Sequence, residues 1–291
     1  MIMKRTLLLL CVLILLTGCS AKREPANVVA TTLPVYEFTA RLCHGTDLTV
    51  SLLVTENVSC LHDYTLKVDQ MQAIERADLV VINGAGLEDF LDDALFSSTN
   101  IIDSAAELTL MEGHHHDHNH GEGHAHAEDP HIWLSPVNAK KMAINICESL
   151  IHHYPQHANT IQANLTTLLS DLDALQAYGE DQLSNLRCRE LITFHDGFGY
   201  FAESFDLTIL HAVEEESGSE ASAAELIDII REVKKHNIPA VFTEQNGSVS
   251  AANIISTETG VKIFALDMAM SGNSYFESMY HNINTVKEAL Q

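Results

Sequence analysis

Residues 113–136, GHHHDHNHGEGHAHAEDPHIWLSP, hold eight of the chain's 17 histidines. Seven of them, His114, His115, His116, His118, His120, His124 and His126, lie in a tract almost free of apolar residues. The eighth, His131, stands apart in Asp129-Pro130-His131-Ile132-Trp133-Leu134, a context that reads as ordered. Neutral imidazole is the commonest transition-metal side-chain ligand, and a His-rich tract suggests metal binding by composition alone. A collecting loop followed at once by a structured histidine suggests low-affinity capture beside a defined site. The plainer alternative is an insertion that binds metal weakly and has no role.

Three more polar residues stand at or just beyond the ends of apolar runs of strand length. His62 follows the run 48–54, His195 follows 191–194 in LITFHDGFGYF, and Asp267 follows 262–266 in KIFALDMAMSG. In parallel α/β sheets, ligands bind outside the carboxyl ends of strands. Three imidazoles and one carboxylate suit tetrahedral Zn²⁺, whereas manganese prefers more oxygen and higher coordination. Taken one at a time, a histidine at a strand end is more often an ordinary hydrogen-bonded residue. Asp129 and Asp196 could orient the rings as supporting carboxylates or merely cap turns. Glu244 could do the same or serve as a fourth ligand, and the supporting role is expected. Trp133 and Tyr200 are expected to be packing residues, and His211, His236 and His281 to face solvent.

The elements that must hold these residues alternate in type. Runs at 28–32, 48–54, 79–83 and 100–103 read as strands, with helical patterns at 34–43, 66–76 and 87–96 between them. Ser135 can cap a helix that has Pro136 at its first position. A leucine stripe from Ile161 to Leu175 at i, i+3, i+4, i+7 spacing predicts a long helix over 156–183. The second half repeats the alternation, with strands at 191–194, 207–212, 240–243 and 262–266. Ser222 with Glu225 forms a capping box, Gly260 ends the next helix, and residues 277–291 close the chain as a helix. The expected fold is α/β: two parallel-sheet (β/α) lobes joined by a long rigid linker helix, with the site in the cleft between them. The boundaries are a signal peptide over 1–18, a tether over 19–26, and an N-terminal lobe over 27–155 with the His-rich loop at 112–128. The linker helix follows over 156–185 and the C-terminal lobe over 186–291.

Lys4 and Arg5 precede an apolar stretch too short for a typical transmembrane helix, and small residues lead to Cys19. This ending resembles a bacterial lipobox, which implies a lipid on Cys19 and a place on the outer face of the cytoplasmic membrane, at the cell surface or in the periplasm. With the signal removed, 40 acidic residues face 14 basic ones. Such a field attracts cations and opposes nucleic acid. Of the remaining cysteines, Cys43 and Cys60 are the preferred disulfide, with a free Cys60 thiol near the metal as the alternative; no CxxC pair occurs. HExxH and GxxxxGK[ST] are also absent, so neither a zinc hydrolase nor an ATP-binding protein is expected.

Six motifs carry a family resemblance across nearly the whole mature chain. They are His62-Asp63-Tyr64, Asn83-Gly84 with Leu87-Glu88, Asp129 to Leu134, Phe194-His195-Asp196-Gly197-Phe198-Gly199-Tyr200-Phe201, Phe242-Thr243-Glu244, and Leu266-Asp267. On these the chain is similar to the zinc-binding lipoproteins that serve as solute-binding components of bacterial ABC importers. The resemblance implies His62, His131, His195 and Asp267 as metal ligands, Zn²⁺ as cargo and ABC permease subunits as partners. It also implies a monomer that is not an enzyme. Manganese-binding relatives have a carboxylate where this chain has His195, and they generally lack the histidine loop, which favours zinc over the manganese alternative. An adhesin-type surface lipoprotein is the other rival. The chain departs from the family pattern at Leu61, at Thr65-Leu66 and at Met268-Ala269, around the first and last ligands. Loading is expected to weaken as pH falls toward and below about 6.5, because histidine ligands must be unprotonated.

Overall fold

The computed structural model describes residues 27–56, 58, 61, 64–91, 100–113, 128–213, 221–272 and 274–291. The expected signal and tether, Cys19, Cys60, His62 and the histidines at 114–126 lie outside them. Among the described residues no helix is long and apolar enough to cross a membrane.

Two four-stranded, wholly parallel sheets form the framework. In the first lobe the strands are β1 (Asn27–Ala30), β2 (Thr49–Leu52), β3 (Leu79–Ile82) and β4 (Ile101–Asp103), ordered β2-β1-β3-β4. In the second they are β5 (Glu190–Thr193), β6 (Thr208–Ala212), β7 (Ala240–Glu244) and β8 (Lys262–Leu266), ordered β6-β5-β7-β8. The lobes therefore share one topology. In each, the strand order reverses between the first strand and the third, the switch point beside which open parallel sheets bind ligands at their carboxyl ends.

The central strands are buried on both faces, as parallel sheets require. Val28 and Ala30 face a large core that runs through both lobes, while Val29 joins a small outer cluster with Val80 and Ile82. Likewise Phe242 faces the shared core and Val241 the outer layer of the second lobe. The period-2 alternation of a strand thus sorts its residues between two cores.

Seven helices complete the described layers: α1 (Leu33–Cys43), α2 (Val68–Arg76), α3 (Pro136–His153), α4 (Ala158–Gln182), α5 (Gly199–Ser204), α6 (Ala223–His236) and α7 (Ser250–Thr259), followed by the closing α8 (Tyr275–Leu290). Local chemistry sets their ends. Ser135 Oγ accepts from Asn138 N–H, the Ser222–Glu225 box is present, and Gly260 takes the left-handed conformation. The 25-residue α4 is the expected strut, about 37 Å long. Its buried stripe is Ile161, Leu165, Leu168, Leu172 and Leu175. Asn164 of α4 holds the carbonyls of Leu42 and His44, and Tyr178 OH donates to Asn284 of α8.

One expected helix differs. Residues 87–90 of the segment predicted to start at Leu87 continue a run of turns that begins at Ala85, because Gly84, Ala85 and Gly86 all adopt positive φ and break the helical path. Residues 92–96 of that prediction fall outside the described set. His236 also departs from expectation: it is part-buried, with Nδ1 3.1 Å from Glu190 and Nε2 3.0 Å from Glu232. Cys43, Cys147 and Cys188 are free thiols among the described residues, and burial pushes the Cys43 thiol up to about 12.

Candidate metal centre

His195 stands two residues beyond β5, at the switch point of the second sheet. His131 comes from the first lobe, on the segment that follows the His-rich tract, and starts a short 3₁₀ turn over Ile132–Leu134. Each ring is 2 % exposed. Their Nε2 atoms lie 3.2 Å apart, and the ring planes are nearly perpendicular at 89°.

Each ring has a carboxylate behind it. Asp129 Oδ1 sits 2.8 Å from His131 Nδ1 and also accepts the His131 backbone N–H at 2.9 Å. Glu244 Oε1, at the end of β7, sits 2.9 Å from His195 Nδ1, off the line of a straight hydrogen bond. A carboxylate at Nδ1 favours the proton on that nitrogen and leaves the Nε2 lone pair free, which infers the tautomer from its partner. Two such lone pairs facing each other repel unless a cation or a shared proton lies between them. Two nitrogens bound to one tetrahedral ion at about 2.0–2.1 Å would stand about 3.3 Å apart. The observed pair matches that separation.

The surroundings hold this geometry. Asn83, at the end of β3 and fully buried, donates to the Pro130 carbonyl at 3.0 Å and so docks the His131 segment on the first sheet. Behind Asn83, the fully buried Glu88 accepts from Thr31 Oγ1, Asn83 N–H and Gly84 N–H. Burial pushes the Glu88 carboxyl up to about 7 against the pull of those three bonds. On the other side, Trp133 Nε1 donates to Met268 O at 2.7 Å. Gly197 is needed beside His195: a Cβ there would meet the ring at 2.6 Å and the Met268 methyl at 2.7 Å.

Two of the four expected ligands, His131 and His195, are thus brought together. His62 lies outside the described residues. Asp267 is half-buried just past β8, with Oδ1 accepting Ala269 N–H and Oδ2 accepting the Ser278 hydroxyl, each at 2.8 Å. Among the described residues no three His, Cys, Asp or Glu side chains gather into a metal shell. Of the expected supporting carboxylates, Asp129 and Glu244 meet the rings; Asp196 is half-buried next to His195. Asn83, Glu88 and the Tyr200 hydroxyl were not singled out for this work by residue type and spacing, although each falls inside a motif noted above.

Two α/β lobes strapped by one long helix, with a carboxylate-backed imidazole pair joining them, define a two-lobed binding protein whose donor set is of the transition-metal kind. The sequence model of the ZnuA family, zinc-uptake complex component A, periplasmic, matches residues 28–289, and the chain belongs to that family. The zinc-binding lipoprotein AdcA of Streptococcus pneumoniae is 31 % identical over 98 % of this chain, which spans 61 % of that relative's length. A solved structure of ZnuA superposes with a TM-score of 0.80 at 28 % identity, covering 92 % of this chain and 100 % of the other. The Zn(II)-bound ZnuA-like domain of Streptococcus pneumoniae AdcA gives 0.76 at 28 % identity, over 91 % of this chain and 98 % of that one.

Proposed function

We propose that this chain captures Zn²⁺ outside the cytoplasmic membrane and delivers it to the membrane subunits of an ABC importer, without making or breaking covalent bonds. The observation that carries this reading is the His131–His195 pair, 3.2 Å between Nε2 atoms with a carboxylate behind each ring. The names of its relatives agree with it. A nitrogen pair also suits zinc better than manganese. His62 and Asp267 complete the shell in this proposal, and the fall in affinity of His62→Ala and Asp267→Asn would check their roles. Lipid on Cys19 anchors a monomer to the membrane; a Cys19→Ser protein released from membranes would support this, and retention would oppose it.

The histidines at 114–126 serve as a weaker collector. Deleting 114–126 should remove the weak zinc equivalents and leave the tight one; a single tight equivalent before and after deletion would argue for a tract without a role. The decisive experiment is competition against a chromophoric zinc chelator, with elemental analysis of the purified protein. Wild type should bind one zinc tightly, and His131→Ala or His195→Ala should not. Unchanged affinity in both variants would sink the proposal.

A further inference from the structure

We infer that the Tyr200 hydroxyl is a positioning group for the bound ion, pinning the Asp129–His131 segment of the first lobe to the helix that follows His195 and so setting the separation of the two Nε2 atoms. Tyr200 belongs to α5, five residues after His195, and its side chain is 1 % exposed. The hydroxyl accepts from Met111 N–H at 2.8 Å and donates to the Asp129 carbonyl at 3.0 Å. Both partners lie in the first lobe. Asp129 is also the residue whose carboxylate grips His131, so the path from phenol to imidazole passes through one residue.

The two partners hold each other as well: Asp129 N–H donates to Met111 O at 2.9 Å, and Glu112 and Glu128 form an antiparallel bridge beside them. The base of the His-rich segment, the carboxylate behind His131 and the second lobe therefore meet at one oxygen. Burial pushes the phenol up to about 12, so it remains a donor through the working pH range. Packing alone would need only the ring. The hydroxyl instead supplies both of its hydrogen-bonding capacities to two buried or half-buried backbone groups across the lobe boundary, which an unsubstituted ring would leave unpaired.

A matched control exists in the same helix. Ser204 Oγ also crosses between lobes, lying 2.8 Å from Ser135 Oγ and 2.8 Å from the Tyr200 main-chain carbonyl, but neither contact involves the Tyr200 phenol or the Asp129 carbonyl. Tyr200→Phe and Ser204→Ala would be compared with wild type by zinc dissociation into excess chelator and by the visible spectrum of the Co²⁺-loaded proteins. Each would first be matched to wild type by far-UV circular dichroism. Tyr200→Phe should release zinc about 10–100-fold faster, the range seen when outer partners of ligands are removed, and should alter the Co²⁺ bands. Ser204→Ala should stay within about 3-fold and keep the wild-type spectrum, since its contacts, with Ser135 Oγ and the Tyr200 main-chain carbonyl, leave the phenol's bonds to Met111 and Asp129 in place. Wild-type release and spectrum in Tyr200→Phe, or equal losses in both variants, would overturn the inference. It rests on the zinc reading: a wild type that takes up no zinc defeats both, whereas tight zinc in wild type and Tyr200→Phe alike defeats this one alone.

Discussion

The two sheets have the same strand order but use the buried glutamates near their carboxyl ends differently. In the first lobe Glu88 turns inward, and Thr31, Asn83 and Gly84 occupy its oxygens. In the second lobe Glu244 turns toward an imidazole. One carboxylate holds the architecture that docks the His131 segment, and the other directs a ring. The parallel extends to the fourth strands. Asp103 at the end of β4 and Asp267 just past β8 each accept the N–H two residues on, at 2.8 Å. A repeated topology thus supplies repeated turns, and side chains at equivalent places can be recruited to chemistry or left to structure.

The largest test of this contrast removes the rings themselves. If roughly 10–16 kcal/mol of binding is shared over four ligands, each ring is worth about 3 kcal/mol, so His131→Ala and His195→Ala should each weaken zinc about 100-fold or more in chelator competition. Next come the carboxylates behind them. Glu244→Gln and Asp129→Asn should each cost about 10–100-fold in affinity. An undiminished Glu244→Gln would erase the distinction between the two sheets. The paired aspartates are a finer probe: Asp267→Asn should lower zinc affinity by about 10-fold or more, while Asp103→Asn leaves it within about 3-fold. Equal behaviour in isothermal titration would mean that both residues serve only their turns.

The smallest effect concerns stability. Glu88 ionises above about 7 when folded but near 4.5 when unfolded, so between those values the folded chain holds the extra proton. Its contribution to stability therefore falls as pH rises through that window, on the order of 1–3 kcal/mol. Urea unfolding at pH 5 and pH 8 should show this decline in wild type and its absence in Glu88→Gln. An identical slope in both would mean that the carboxyl titrates normally.

Much of this was legible in residue order. The strand–helix alternation, the caps at Ser135 and Ser222, the left-handed Gly260 and the α4 leucine stripe follow from local chemistry, which acts over one or two turns of chain. Asp129 was readable as a partner of His131 because the two are separated by a single proline. Glu112 and Glu128, at the two ends of the expected His-rich loop, form an antiparallel bridge. The helix expected from Leu87 failed at its start because its apolar pattern carried no sign that the three residues before it would turn left-handed. His236 was misjudged as solvent-facing because Glu190 approaches it from a strand 46 residues away.

Taken alone, residue order determined two α/β lobes, a strut and a histidine, His195, placed just past a strand end. Only the tertiary structure decided that His131 and His195 meet at 3.2 Å, that Glu244 rather than a nearer acid backs His195, and that Tyr200 reaches across to Asp129. The reason is physical. Periodicity and capping encode which way a side chain faces within its own element, whereas partners 49 to 71 positions apart are chosen by strand order and by how two lobes pack.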